Sequence, residues 1–173
     1  MKSNITLTED EKDCLQELMN VAYGNATAAI TEILDAYAKL SIPKIQIINS
    51  SELKAHLSRE LNLDVEHLVS LQQINGTISG ENMFVIDKQS AINIAYKFGL
   101  SEDEINDNEL LDIVLEITNI LSSSTISKLA EDIDTNVSFS APSIKSLTSI
   151  NQLNNSFISK YEKVIIISTE LKF

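Results

Sequence analysis

The sequence repeats a short polar pattern at a fixed distance. ELMN at positions 17–20 carries a glutamate and an asparagine three residues apart, and EITN at positions 116–119 carries the same pair. The two copies are 99 residues apart in a chain of 173. A repeat of this length indicates two similar halves, and it constrains the fold more than any other feature of the sequence.

The same offset relates residues outside these two segments. Asp13 matches Asp112, and the chain's two prolines, Pro43 and Pro142, also lie 99 residues apart. Because all of these positions keep one register, we interpret the chain as an internal duplication.

The duplicated halves are expected to form a single domain over residues 1–173, with half-repeats at about 8–99 and 101–173. A chain of 19.2 kDa is long enough to bury a substantial core. No linker rich in Gly, Pro or Ser divides the halves. They should therefore share one sheet and one core.

Local patterns indicate where helices and strands lie. Capping boxes at Thr8–Glu11 and Ser101–Glu104 indicate helix starts. Asn75-Gly76 and Gly80-Glu81 compete as the centre of one hairpin turn. Apolar spacing predicts helices over residues 8–37, 51–62, 88–98 and 108–131, strands at 43–49, 136–149 and 162–173, and two strands within 67–87.

The repeated polar residues lie on one side of their predicted helices. Positions 13, 17, 20 and 24 are spaced by four, three and four residues, which places them along one face. The opposite, apolar stripe is expected to dock on the sheet, and its members are Leu15, Leu18, Ala22 and Ala26 in the first copy and Val114, Ile117 and Leu121 in the second.

An exposed polar helix face needs no function of its own. A solvated face has no reason, however, to keep the same acid and the same amide in both halves, because Lys, Gln or Ser would serve equally well there. The repetition therefore points to recognition or chemistry. A carboxylate can bind a lysine or approach a metal, whereas an amide positions a water or an anion without titrating. The pair suits half of a site whose other half lies on a partner, as in phosphoryl transfer completed in trans.

Other classes of function find little support. A net charge of −12 and a pI near 4.5 argue against a nucleic-acid partner. Cys14 is expected to pack inertly, and His56 and His67 have no spaced partners for a metal site or a catalytic triad. No nucleotide-binding loop marks a stand-alone metabolic enzyme. No apolar leader or membrane-spanning run is apparent, so we expect a cytoplasmic protein that does not enter a membrane.

The motif resembles the signature of a known family. The pattern Asp/Ser-x3-Glu-x2-Asn-x22-Pro is that of the CheC/CheX/FliY phosphatases of bacterial chemotaxis, and both copies fit it without a gap. The first copy continues into Gly24-Asn25, as the family does, whereas the second has Ser123-Ser124. On this ground we expect the first site to contribute more activity. Two copies make the chain most similar to CheC or to the phosphatase domain of FliY.

This resemblance implies an α/β (α+β) fold: a pseudo-twofold duplicated CheC-like domain with one mostly antiparallel sheet and two long motif helices packed on one side. The implied substrate is the aspartyl phosphate of a CheY-type response regulator. Asn20 and Asn119 would orient the attacking water, and Glu17 and Glu116 would pair with the regulator's active-site lysine. Mg²⁺ would belong to the regulator, and this chain would bind no cofactor or metal of its own.

The resemblance also gives roles to the supporting residues and leaves a second function open. Asp13 and Asp112 would shape the helix surface, and Pro43 and Pro142 would fix the entrance to the following strand. The alternative is a non-catalytic adaptor or flagellar-switch module that binds a response regulator or a CheD-like protein. Family members usually continue beyond the last strand, so an open VIIIS edge favours a homodimer or a missing tail.

Overall fold

The computed structural model describes residues 7–34, 39–40, 44–62, 64–149, 152–153, 160–168 and 171–172. In chain order the elements are α1 (Glu9–Leu34), β1 (Lys39–Leu40), β2 (Lys44–Asn49), a 3-10 turn (Ser50–Glu52), α2 (Leu53–Glu60), β3 (His67–Gly76), β4 (Gly80–Asp87), α3 (Lys88–Lys97), α4 (Asp107–Asp132), β5 (Val137–Phe139), β6 (Ser143–Leu147), β7 (Lys163–Ser168) and β8 (Leu171–Lys172).

The strands pair across the two halves of the sequence. β3 pairs with β4 along one edge and with β5 and β6 along the other. β2 pairs with β7, and β1 pairs with β8. Every one of these pairings is antiparallel, and each except β3–β4 joins a strand of one half to a strand of the other. The expected α/β class and mostly antiparallel pairing are confirmed, whereas among the described residues the strands form one four-stranded and two two-stranded sheets rather than the single sheet expected.

The open edge expected at VIIIS is partly closed. β7 pairs with all six residues of β2, and within the described part of the chain no strand pairs with its other edge. The homodimer expected from this edge stays a prediction.

Two expected elements differ from the structure. The strand expected over residues 136–149 is broken into β5 and β6 by residues 140–142, because Pro142 has no N–H to continue a ladder. The hairpin turn occupies residues 77–79 and is centred on neither of the two dipeptides expected there. Gly76 is instead the last residue of β3 and pairs with Val137.

The capping box at Thr8–Glu11 forms and begins a helix, whereas at Ser101–Glu104 the Glu104 N–H donates to the Ser101 carbonyl rather than to its hydroxyl, and no helix begins there. Thr8 and Glu11 exchange hydrogen bonds at the start of α1. Glu104 accepts from the backbone and the hydroxyl of Ser101, yet this pair closes a turn. α4 begins later, where the Asn106 side chain accepts from the N–H groups of Asn108 and Glu109. Of the first predicted helix, residues 35–37 lie outside the described residues.

α4 lies between α1 and the sheet. It contacts α1 on one side and β3, β5 and β6 on the other. Its apolar residues form the main core with Leu68 of β3 and with α3. The second face of β3, which carries Val69, packs with α2 and with Leu147 and Leu153 in a separate cluster. The motif helices thus lie together on one side of the sheet.

By length and composition alone, α4 could also cross a bilayer. The expectation that no run approaches such a length is therefore wrong for this helix. Its position between α1 and β3 is that of a core helix in a globular domain.

Candidate functional site

The first motif copy lies on the exposed side of α1. The helix buries one stripe of residues at helical spacing, which comprises Met19, Ala22, Ala26 and Ile30. This stripe differs from the expected one, since Leu15 and Leu18 are only half-buried. α1 packs mainly on α4 rather than on the sheet. Asp13, Glu17 and Asn20 all remain exposed.

The second copy has the same arrangement on α4. Val114 and Ile117 are buried as expected, whereas Leu121 is half-buried. Asp112, Glu116 and Asn119 are exposed. Because α1 and α4 are in contact, the structure brings the two Glu-Asn pairs onto neighbouring helices.

The Asn119 side chain is hydrogen-bonded to a residue of the sheet that packs against α4. Gln72 on β3 donates from Nε2 to Oδ1 of Asn119 at 3.2 Å. The same Nε2 donates to the backbone carbonyl of Ser140 at 3.0 Å. Gln72 is only 2% exposed, so the donor of this part-buried contact is shielded from solvent, whereas Asn119 itself is exposed.

The loop that carries Pro142 is part of this arrangement. Ser140 donates its N–H to the carbonyl of Gln73, and its hydroxyl accepts from the N–H of Gln73. Residues 140–142 are thereby fixed against β3 next to Gln72. The motif proline thus lies in the loop whose carbonyl binds Gln72. Its counterpart, Pro43, lies outside the described residues.

Asn20 has a different neighbour. Its Oδ1 accepts from Nε2 of Gln16, one turn earlier on the same helix, at 3.5 Å. Both side chains lie on α1, and the contact is solvent-exposed. An exposed hydrogen bond of 3.5 Å within one helix restrains an amide less than a shorter one of 3.2 Å from a buried neighbour.

The departure at Ser123 changes the surface little. Gly24, its counterpart in α1, is exposed, and a Cβ there would meet nothing within 4 Å. The Ser123 hydroxyl donates to the backbone carbonyl of Asn119 on its own helix. The additional side chain therefore turns back onto α4.

Both motif helices carry exposed carboxylates. The four carboxylates of the motif copies, on Asp13, Glu17, Asp112 and Glu116, are all exposed and suit a cationic group on a partner. Among the residues described, no group of three or more His, Cys, Asp and Glu side chains could hold a metal ion. Burial raises the pKa of Tyr23, beside the first copy, to about 12, so its hydroxyl stays protonated at neutral pH.

Gln72 and Ser140 are functional residues that the motif spacing does not predict. A signal was present in β3, where Leu68, Ser70, Gln72 and Ile74 alternate on one buried face. Two polar residues on a strand face turned toward apolar helices indicate a buried polar function. Only the pairing of β3 with the second half, however, shows that this function concerns Asn119.

Comparisons with known proteins give a family and a fold. The family model described as chemotaxis phosphatase CheX matches residues 68–168, a segment that contains β3 and the second motif copy. FliY of Thermotoga maritima is 23% identical, with a TM-score of 0.78, and the match covers 97% of this chain and 85% of that one. A comparison with curated proteins finds no match.

Two further structures share the fold. The FliM middle domain from H. pylori has a TM-score of 0.61 at 11% identity, over 96% of this chain and 86% of that one. The chemotaxis protein CheX from Vibrio vulnificus has a TM-score of 0.53 at 18% identity, over 77% of this chain and 80% of that one.

Proposed function

The chain belongs to the CheX family of chemotaxis phosphatases and has a role in chemotaxis, and we propose that it hydrolyses the aspartyl phosphate of a CheY-type response regulator. One observation carries the proposal: two exposed Glu-Asn pairs lie on neighbouring helices, and in one of them the sheet fixes the amide. The protein is proposed to act in the cytoplasm.

In the proposed reaction, a water oxygen forms a bond to phosphorus while the bond from phosphorus to the aspartyl oxygen breaks. The aspartate leaves as a carboxylate with the bonding electrons, and the protons of the water end on the released phosphate and the solvent. Because a carboxylate is a good leaving group, the phosphatase needs no general acid. The asparagine amide contributes by holding the water in line with the leaving oxygen.

The Asn119 oxygen can hold such a water while Gln72 is bound. A side-chain carbonyl has two lone pairs, and Gln72 occupies one of them. The other can accept a hydrogen bond from the attacking water. In the proposed complex, Glu17 and Glu116 bind the regulator's active-site lysine, and Mg²⁺ is held by the regulator. Asp13 and Asp112 shape the surrounding surface.

A second function is favoured by a different observation. The FliM middle domain shares the fold, and one of the similar structures is a complex of FliM with SpeE. A fold of this kind can therefore serve as a binding module, and the alternative proposal is an adaptor or flagellar-switch module that binds a regulator or a CheD-like partner. The repeated amide favours catalysis, since docking alone does not require it twice.

Turnover distinguishes the two functions. A CheY-type regulator is phosphorylated with Mg²⁺ and a small phosphodonor, the donor is removed, and the loss of phosphoryl groups is followed with this protein present far below the regulator concentration. We expect each molecule to process many regulators. An adaptor would bind the phosphorylated regulator and leave the rate unchanged or lower, and that result would overturn the proposal.

We predict a shallow dependence of the rate on pH near neutrality. An amide does not titrate, and the Tyr23 hydroxyl beside the first site, with a pKa of about 12, keeps its proton throughout this range. The rate constant is measured at saturating protein between about pH 6 and 8, with the regulator's own hydrolysis subtracted. A change of about tenfold per pH unit would reveal a general base and contradict this mechanism.

A further inference from the structure

We propose that Gln72 is a positioning residue that sets the orientation of the Asn119 amide and makes the two phosphatase sites unequal. The inference rests on the proposed function for its catalytic consequence, whereas its structural part stands on the contacts of Gln72 alone. Gln72 belongs to neither motif copy. It lies on β3, in the first half of the chain, whereas Asn119 lies in the second.

The orientation follows from what each group can donate or accept. The Ser140 backbone carbonyl can only accept, so the Gln72 atom that contacts it must be the NH₂ group. The same NH₂ contacts the Asn119 amide, which must therefore present its oxygen. The Ser140 carbonyl thus fixes that the NH₂ group of Gln72 points toward α4, and this NH₂ group fixes that the oxygen of the Asn119 amide points toward β3.

The burial of Gln72 is better explained by its contact with Asn119 than by stability. Oε1 of Gln72 is buried without a hydrogen-bond partner among the described residues. A buried amide with an unpaired oxygen is less favourable than an apolar side chain of the same size. Stability therefore gives little reason for a glutamine at this position, whereas the orientation of Asn119 does.

Asn20 lacks an equivalent restraint among the described contacts. Its amide is bound by Gln16 from the same exposed helix face, at 3.5 Å, and no partner on β3 reaches it. An ordered amide holds water in line for a larger fraction of the time than a mobile one. We therefore expect the second site to be the stronger, which is opposite to the ranking expected from Gly24-Asn25, and the single variants decide between the two rankings.

The test replaces Gln72 with methionine, which keeps the length of the side chain and removes its hydrogen-bond donors. The replacement is made in two variants that each retain one motif asparagine, Asn20→Ala and Asn119→Ala. With Asn20→Ala, only the second site works, and Gln72→Met should lower the turnover number about tenfold and leave KM for the phosphorylated regulator unchanged. With Asn119→Ala, Gln72→Met should change nothing. A loss of equal size in both backgrounds would show a merely structural effect and overturn the inference.

A neighbouring glutamine provides the matched control. Gln73 follows on the same strand, is exposed, and directs its side chain to Glu81 rather than to Asn119. Gln73→Met should leave the turnover number of the Asn20→Ala variant and that of the Asn119→Ala variant unchanged. Gln72→Leu repeats the test if Gln72→Met does not fold, and the unfolding midpoints should agree with that of the wild type to within about 4 °C.

A measurement independent of catalysis decides the structural part. Side-chain ¹⁵N relaxation should show the Asn119 amide to be ordered on the ps–ns timescale in the wild type and mobile in Gln72→Met. An Asn119 amide equally mobile in both proteins would overturn the inference, even if the wild type is a phosphatase. If the wild type shows no turnover, the proposed function fails, and relaxation still decides the role of Gln72.

Discussion

The variant with both Asn20→Ala and Asn119→Ala is expected to bind the phosphorylated regulator as the wild type does and to accelerate its hydrolysis at least about a hundredfold less. Both side chains are exposed, so their truncation removes no core contact. The truncations remove the amides that orient the water, and the buried Gln72 amide keeps its bond to the Ser140 carbonyl. Dephosphorylation is measured under single-turnover conditions, and binding is measured with the regulator held in its phosphorylated form by a beryllofluoride analogue.

A matched control lies on α3. Asn93 is exposed and accepts at Oδ1 from Nε2 of Gln89, one turn earlier, at 3.3 Å, which is the same local arrangement as that of Asn20. Asn93→Ala removes an equivalent amide from a helix without the motif, and it should retain the full rate. If the double variant also retains the full rate, the protein binds the regulator without catalysing hydrolysis, and the adaptor function replaces the proposed one.

The helical part of the site could be predicted from the sequence because it depends on local spacing. The residues that face outward on α1 and α4 repeat at three and four positions, and the capping box of Thr8 marks where the first helix begins. The exposure of all six motif residues on these helices follows from that periodicity alone. No knowledge of distant contacts was needed.

The support beneath the site could not be predicted, because it depends on pairing between distant strands. Gln72 reaches Asn119 across 47 positions and Ser140 across 68. The alternation of β3 indicates which residues face one side, yet it does not indicate which helix covers that side. The break at residues 140–142 has a local cause in Pro142, but the bonds between Ser140 and Gln73 that hold this loop against β3 again join distant residues.

Gly76→Ala is expected to destabilise the fold by about 3 kcal/mol. Gly76 has φ +136°, a conformation that residues with a Cβ rarely adopt, and a Cβ built there would lie 2.4 Å from the backbone oxygen of Asn136. Neither the oxygen nor the paired Val137 backbone can move without opening the β3–β5 ladder. Denaturant unfolding measures the loss, which corresponds to a melting temperature lower by about 6–12 °C.

Gly80→Ala is the control for this prediction, because Gly80 lies in the same hairpin and a Cβ there would meet nothing within 4 Å. It should unfold within about 1 kcal/mol of the wild type. Since β5 leads directly into the loop that holds Gln72, Gly76→Ala should also weaken the second site more than the first at temperatures where the fold persists. Equal stability of the two alanine variants would show that β3 and β5 are not paired at Gly76.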